Sequence, residues 1–470
     1  MATRNVQTLV LGAGPGGYVA AIRAAQLGRK VTVVEREFIG GVCLNVGCIP
    51  SKAMIHGSSV FDRIQHASEM GIEVTGAKVD LGKLVDWKAG VVTKLTGGIG
   101  QLFKAHKIES VMGTATFKSA NSIEVKSSAG TDTLVFEECV IATGSSPIQL
   151  KGFEIDGKLV MGSTEALACK TLPKRVVVLG GGYIGLEIGT MWRKLGSEVT
   201  VVELMPTILT GIEKDCARVV HTKLKKRNVN VMLETKAIGL EKKANGCVVH
   251  VEGKGGAKST IECDVVLATI GRRPNSANLG LEAIGVQIDA KGFIVTDDQM
   301  KTSVKGIYAI GDVAGQPMLA HKASYEGIVA AEVIAGKKRF RDWKCVPAVV
   351  FTDPEIGSVG MTEDDCAAKG IEVLVGKFPM GASGRALSLG EAEGFTKVVA
   401  DKKTGVVLGV HIVGPEASEI IAEGGLAIEM GATLEDLALT IHAHPTLPET
   451  IMEAAEAAMG HAIHMFQPKR

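Results

Sequence analysis

Val6-Gln7-Thr8-Leu9-Val10-Leu11-Gly12-Ala13-Gly14-Pro15-Gly16-Gly17 is the stretch that decides the fold. Val6 to Val10 reads as a buried strand, and it runs straight into a glycine turn. A run of small residues follows (Ala20, Ala21, Ala24, Ala25), spaced as a helix, and then a second strand, Lys30 to Val34, that closes on Glu35. Each part has a physical purpose. Gly12 permits the tight turn, Gly14 lets backbone approach a pyrophosphate, and Gly17 lets the helix lie close to the sheet. The helix start then presents free N–H groups and a partial positive charge to phosphates. Glu35 is placed to accept hydrogen bonds from a ribose diol. A glycine pattern alone is weak evidence; strand, turn, helix, strand and acid in this order are specific.

The same order recurs. Arg175 to Leu179 is a strand, Gly180-Gly181-Gly182-Tyr183-Ile184-Gly185 is the turn, and Glu203 follows the strand Glu198 to Val202. In both copies the acid lies 23 residues after the first glycine (12 to 35, 180 to 203). Both copies close on a similar return strand, Val140-Ile141-Ala142-Thr143-Gly144 and Leu267-Ala268-Thr269-Ile270-Gly271. Internal duplication of this kind means two dinucleotide-binding domains in one chain. Two intact fingerprints argue against one of them being idle. Glu203 would repel a 2′-phosphate, and Leu204, Met205 and Pro206 bring no cation, so the second copy is read as a site for NAD, not NADP. Its expected contacts are Gly180, Gly182, Tyr183, Ile184, Gly185, Glu203 and Gly271, with Glu187 farther along the helix.

Composition agrees with an enzyme of several domains. The chain has 470 residues, 46 % hydrophobic and 22 % charged, with 58 glycines and only 4 % aromatics. That length exceeds one ordinary core and points to roughly three domains. A net charge of +1 gives no electrostatic case for nucleic acid or an anionic membrane. There is no apolar run long enough for a membrane span, and no leader segment is expected ahead of the first strand. The nine cysteines are an odd number, widely scattered, with no CxxC pair and no zinc-like spacing with histidine. They are not a secreted disulfide framework, and no metal site is expected.

Cys43 and Cys48 stand apart from the other cysteines. They sit in Gly40-Gly41-Val42-Cys43-Leu44-Asn45-Val46-Gly47-Cys48-Ile49-Pro50-Ser51-Lys52, within the roughly 40 residues by which the first copy is longer. In a regular helix, residues five apart have Cα atoms about 8–9 Å from each other, too far for a disulfide. Gly47 and Pro50 are the residues expected where a helix start is bent to bring two sulfurs together. Lys52, four residues past Cys48, shares its helical face and can stabilise a thiolate. The bland alternative is two reduced core cysteines; the glycine flanks and the adjoining nucleotide fold outweigh it. A nicotinamide moves a hydride and a disulfide exchanges thiols, so a carrier able to do both must lie between them. Flavin is such a carrier, and the first fingerprint is therefore read as the FAD site.

In order, GAGPGG, GGVCLNVGCIPSK, ATGSSP, GGGYIGLE, ATIGRRPN, GIYAIGDV and HAHPTLPE span nearly the whole chain. This series resembles the dihydrolipoamide dehydrogenases of the pyridine nucleotide–disulfide oxidoreductase family. The resemblance implies an α/β fold with two Rossmann-like dinucleotide-binding domains, for FAD and NAD, and a C-terminal α+β dimerisation domain. It implies that Cys43 exchanges with substrate, that Cys48 faces the flavin as a thiolate, and that Lys52 pairs with Glu187. It places Asp312 on the FAD ribityl chain and Met318, Leu319, Ala320 and His321 beside the flavin ring. The Gly113-Thr114-Ala115 turn would meet the adenine end, and Thr143, Gly144 and Ser145 the cofactor's middle. It makes His444 the base and Glu449 its partner, reaching the site from the other subunit of a homodimer, with His442 in support. A histidine held by a carboxylate is the acid–base pair that thiol chemistry needs, and Pro445 and Pro448 exclude a helix around it. The implied cofactors are one tightly bound FAD per subunit and NAD+/NADH. The implied partners are lipoyl-bearing proteins of 2-oxoacid dehydrogenase or glycine cleavage complexes, because no lipoyl segment is expected on this chain. The implied location is the cytoplasm for a bacterial source, or the mitochondrial matrix or a plastid for a eukaryotic one.

The markers divide the chain at 1–147 for FAD, 148–272 for NAD, 273–345 for a central segment completing the FAD site, and 346–470 for the interface domain. Glutathione and trypanothione reductases would want arginines after Glu203. Mercuric and large thioredoxin reductases would want a C-terminal cysteine pair, whereas this chain ends His464-Met465-Phe466-Gln467-Pro468-Lys469-Arg470. A mainly structural role in a larger assembly would leave the relay without purpose. Which complex supplies the lipoyl arm stays open.

Overall fold

A computed structural model describes residues 3–467. Met1, Ala2 and residues 468–470, on which part of the expectations about a leader and about the chain's end rest, lie outside the described residues.

Three sheets organise the molecule. In the first, parallel strands run in the order Glu109–Met112, Val31–Glu35, Thr3–Leu11, Gly130–Ile141. The second is all parallel, in the order Asn230–Met232, Glu198–Val202, Arg175–Leu179, Val265–Ala268, Val160–Met161. The two share one core topology, and they differ in where the outer strand comes from. In the second sheet it precedes the fingerprint; in the first it is Ile307–Ala309, pairing Ile307 with Cys139 and Ala309 with Ile141. The near half of Gly130–Ile141 instead carries the antiparallel strands Ser122–Ser127 and Thr114–Ser119. Buried valines fill both sheets because helices cover one face and further strands the other; over the second sheet these are the antiparallel strands Lys236–Lys243, Gly246–Glu252 and Lys258–Cys263.

The third sheet is antiparallel, in the order Ala348–Val350, Glu355–Gly360, Val407–Gly414, Phe395–Asp401, Val373–Pro379. Helices Ala417–Met430 and Glu449–Met459 lie directly on it, so close that a Cβ at Gly376 would sit 1.8 Å from the Ala454 carbonyl oxygen. Several large apolar side chains stay open on this part of the chain: Leu426, Met430, Leu439, Ile441 and Phe466 are exposed, Ile441 to 96 %. Among the described residues no helix is long and apolar enough to cross a membrane.

Some local expectations shift. The second return strand ends at Ala268; Thr269 still donates to the Leu179 carbonyl, and Gly271, at φ +129°, then turns the chain away. The proposed turn at residues 113–115 is only Gly113, because Thr114 and Ala115 already belong to a strand and Ala115 pairs with Val125. Pro448 does not keep the backbone around Glu449 out of a helix. It caps the helix Glu449–Met459, since a proline costs no hydrogen bond at a helix start.

Candidate active site at the junction of the two nucleotide folds

The two fingerprint turns match atom for atom. Gly12 and Gly180 both have φ +100°, and a Cβ there would lie 2.3 Å from the Ala142 oxygen and 2.7 Å from the Thr269 oxygen. Glu35 accepts the Ala13 N–H at 2.7 Å and Glu203 accepts the Gly181 N–H at 2.5 Å, in each case the second residue of the turn. The second oxygen of each carboxylate takes a further backbone N–H, from Glu37 and from Met205. At Gly17 and Gly185 a Cβ would fall 1.9 Å and 2.6 Å from the oxygens of Gly12 and Gly180, so the helix rests on its own turn.

The middle glycines are different. Nothing lies within 4 Å of a Cβ at Gly182, and at Gly14 only the Gly41 Cα, at 3.9 Å. Neither following helix, Pro15–Gln26 or Tyr183–Leu195, has a side chain capping its first turn. Open space over a glycine, facing free helix N–H groups, is a cradle for phosphate, and both turns fit a dinucleotide.

Cys43 lies in the short helix Gly41–Asn45, and Cys48 opens the helix Cys48–Gln65. The break falls at Gly47, where a Cβ would sit 2.9 Å from the Val42 oxygen and 3.3 Å from the Cys43 Cα. Both cysteines are free thiols here. The Cys43 thiol donates to Cys48, which lowers the Cys48 pKa to about 7 against the cost of burial; Lys52 lowers it further. The same bond, with burial, pushes Cys43 far up. Cys48 is solvent-exposed yet packed closely by protein, as a group on the floor of a cleft would be.

Lys52 Nζ bonds Glu187 Oε2 at 2.8 Å and lies 4.4 Å above the centre of the Phe351 ring. Glu187 is buried, and its other oxygen accepts the Phe351 N–H at 2.9 Å. Tyr183, at the start of the second fingerprint's helix, comes near the same place. Burial is the main reason its hydroxyl is pushed up to about 12, and Arg272, Glu187, Asp312 and Cys48 all act on it. Arg272 donates to the hydroxyl and carbonyl oxygens of Ser145, and the Ser145 hydroxyl donates to Asp312 Oδ2 at 2.5 Å. Thr143 and Asn275 bond each other's carbonyls beside Gly144. Residues from both nucleotide folds thus gather around Cys48. A narrow cleft lined by Ile184, Gly271 and Arg272, among others, opens on the second fold's side.

Met318 and Leu319 lead into the helix Ala320–Ile334, which packs on Pro15–Gln26, and His321 Nε2 bonds the Pro347 carbonyl at 2.7 Å. The sequence reading missed a buried ion pair on that helix. Lys322 and Glu326 meet at 3.1 Å, and Glu326 accepts the Gly311 N–H at 2.7 Å, holding the turn that carries Asp312. Opposite charges four apart on one helix were the available signal. Also missed was Lys397, buried among Glu213, Asp215 and Glu363 at 2.6–3.0 Å. Those carboxylates have metal-like spacing, and the lysine ammonium already supplies their cation.

His444 and Glu449 meet at 2.9 Å between Nδ1 and Oε1, and the second Glu449 oxygen takes the Thr446 N–H. His442 bonds Glu423 at 2.8 Å. His444 is strongly exposed, and among the described residues no hydrogen bond or ion pair ties it to Cys43 or Cys48 of its own chain.

Residues 6–327 match the model of the pyridine nucleotide-disulphide oxidoreductase family, and residues 346–455 match that family's dimerisation domain. Proteins named dihydrolipoyl dehydrogenase from Geobacillus stearothermophilus and Haloferax volcanii are each 51 % identical over 98 % of this chain and 98 % of their own. One from Thermus scotoductus is 50 % identical over 98 % of this chain and 99 % of its own. Among solved structures, LpdA from Mycobacterium tuberculosis superposes with a TM-score of 0.89 at 28 % identity, covering 96 % of this chain and 99 % of that one. The HOCl-induced flavoprotein disulfide reductase RclA from Escherichia coli does so at 0.85 and 27 %, covering 96 % and 99 %. By both matches the chain belongs to the pyridine nucleotide-disulphide oxidoreductases and carries their dimerisation domain.

Proposed function

We propose that this chain is an NAD-dependent dihydrolipoyl dehydrogenase, oxidising a protein-bound dihydrolipoyl group to its disulfide and reducing NAD+ to NADH. The observation that carries this reading is the convergence of both nucleotide folds on Cys48. The full-length relatives of that name support the choice of substrate. FAD, held along Gly12, Gly14, Gly17, Glu35, Asp312 and the 318–321 segment, supplies the two-electron chemistry that links a dithiol to a nicotinamide.

The residues divide the work. With Cys43 and Cys48 joined as a disulfide, a substrate thiolate attacks the Cys43 sulfur and Cys48 leaves as a thiolate. The second substrate thiol then displaces Cys43, giving lipoyl disulfide and the reduced pair. The lowered Cys48 pKa and the Lys52 ammonium make it the better leaving group. Glu187 fixes Lys52 through a buried carboxylate. His444 of the partner subunit takes the substrate's proton at Nε2, while Glu449 holds Nδ1. Glu203, its two oxygens fixed by backbone N–H groups, holds negative charge where a 2′-phosphate would lie, and so favours NAD.

The dimer that completes the site forms through the exposed apolar side chains of Leu426, Met430, Leu439 and Ile441. The domain limits proposed are 1–147, 148–272, 273–345 and 346–470. We place the protein in the cytoplasm, as its bacterial and archaeal relatives suit, serving lipoyl domains of 2-oxoacid dehydrogenase or glycine cleavage complexes. The test is one assay matrix: dihydrolipoamide or reduced glutathione, with NAD+ or NADP+. Turnover should be confined to dihydrolipoamide with NAD+; turnover with the glutathione and NADP pair at a comparable rate would refute the reading.

A further inference from the structure

We propose that Cys247 and Cys263 form a second dithiol–disulfide couple, a modification site inside the NAD-type half that is oxidised by hydroperoxides. It is independent of the function proposed above. The two cysteines stand directly opposite each other on antiparallel strands, Gly246–Glu252 and Lys258–Cys263. Their sulfurs are 3.4 Å apart. Opposed residues on antiparallel strands have Cα atoms about 4.5–5.5 Å apart, inside the range a disulfide spans, so bonding needs a sulfur shift on the order of 1 Å.

Burial alone does not explain the pair. Cys139 is also fully buried, meets no other thiol, and is simply pushed up. Cys247, at 2 % exposure, is pulled down instead by its hydrogen bond with Cys263, in which either sulfur can donate. Either sulfur can attack first. Where Cys247 does so, its thiolate takes one oxygen from the hydroperoxide ROOH, which leaves as the alcohol ROH after gaining a proton, and Cys247 becomes a sulfenic acid. Cys263 then attacks that sulfur, its thiol proton leaves with the hydroxyl as water, and the disulfide remains. Two thiols lose two electrons and two protons in all, and the peroxide O–O bond accepts both electrons.

The site has an entry route and a consequence. The pair is the last rung of its ladder, beside the two-residue turn Ala244-Asn245, where end rungs open most readily. Entry by opening makes its oxidation slower than that of Cys43 and Cys48. Asp264, next to Cys263, accepts the backbone N–H groups of Lys174 and Arg175 at 2.8 and 3.0 Å. A bond here would lock Gly246–Glu252 to Lys258–Cys263 beside Asp264, which holds the start of the strand that leads into Gly180.

The test uses the intact reduced protein, treated with graded hydrogen peroxide, quenched in acid, alkylated, and digested with trypsin without reductant. Cys247 and Cys263 fall in separate peptides, Ala244–Lys254 and Ser259–Arg272, while Cys43 and Cys48 share Glu37–Lys52. The expected result is a cross-link between the first two peptides, two hydrogens lighter than their sum. It should appear at higher peroxide than the bond within Glu37–Lys52, disappear with dithiothreitol, and be absent in Cys263→Ala. Recovery of both as alkylated thiols, or as separate sulfinic acids, even at doses far above those that fully convert Cys43 and Cys48 would overturn the proposal. The readout on the unsubstituted protein decides even if the variant folds poorly.

Discussion

The two nucleotide-binding halves share a turn and the parallel core around it, and differ in what is added to that core. Gly12 and Gly180, Glu35 and Glu203, and the two middle glycines repeat one local solution. The first half adds the segment with Cys43, Cys48 and Lys52, and borrows the strand Ile307–Ala309 to complete its sheet. The second half makes no such loan and carries its own pair of thiols in a sheet core. Binding a dinucleotide takes a few consecutive residues and can be copied whole. Chemistry takes side chains from several elements, and it sits where the copies diverge.

The contrast between the cysteine pairs is where the largest effect is expected. Cys48→Ser removes the leaving thiolate, and dihydrolipoamide oxidation should fall by about 10⁴-fold or more. Cys263→Ala should leave that rate within roughly twofold, since Cys263 belongs to the buried core of the second half. Equal losses in both variants, measured in the same steady-state assay, would erase the distinction between a working pair and an auxiliary one.

A smaller effect separates the glycines within one turn. Gly12→Ala meets the Ala142 carbonyl from a left-handed backbone and should cost on the order of 3 kcal/mol in urea unfolding. Gly182→Ala meets nothing in the chain, so stability should stay within about 0.5 kcal/mol. Its methyl group would instead project into the phosphate space, and the KM for NAD+ should rise about tenfold, roughly 1.4 kcal/mol of binding. A Gly182→Ala protein with unchanged KM would mean that the open space over that turn is not where the phosphates lie.

These differences also mark what the sequence could disclose. Both fingerprints, both acids and the helix break at Gly47 were legible, since each is fixed by neighbours within a few residues. The Lys52–Glu187 and His444–Glu449 pairs came through family resemblance, and the structure brings each pair into contact. Contacts across long separations were not legible. Nothing local marks Ile307–Ala309 as the strand beside Cys139, Phe351 as the donor to Glu187, or Arg272 as the link through Ser145 to Asp312. Lys397 among its three carboxylates, and Cys247 facing Cys263, likewise depend on register and domain packing that no short window contains.

The central claim is that the reduced Cys43–Cys48 pair holds its thiolate on Cys48, at the meeting point of the two halves. The Cys48 pKa is depressed, so the thiolate, and with it reactivity, grows as pH rises through the folded value rather than through the ordinary thiol value near 9. The most direct test is the rate of iodoacetamide modification of the reduced protein from pH 5 to 10, with Cys43 and Cys48 resolved by fragmentation of peptide Glu37–Lys52. The account predicts alkylation of the reduced pair that is half-maximal near pH 7. A midpoint near 9 for both cysteines would contradict it.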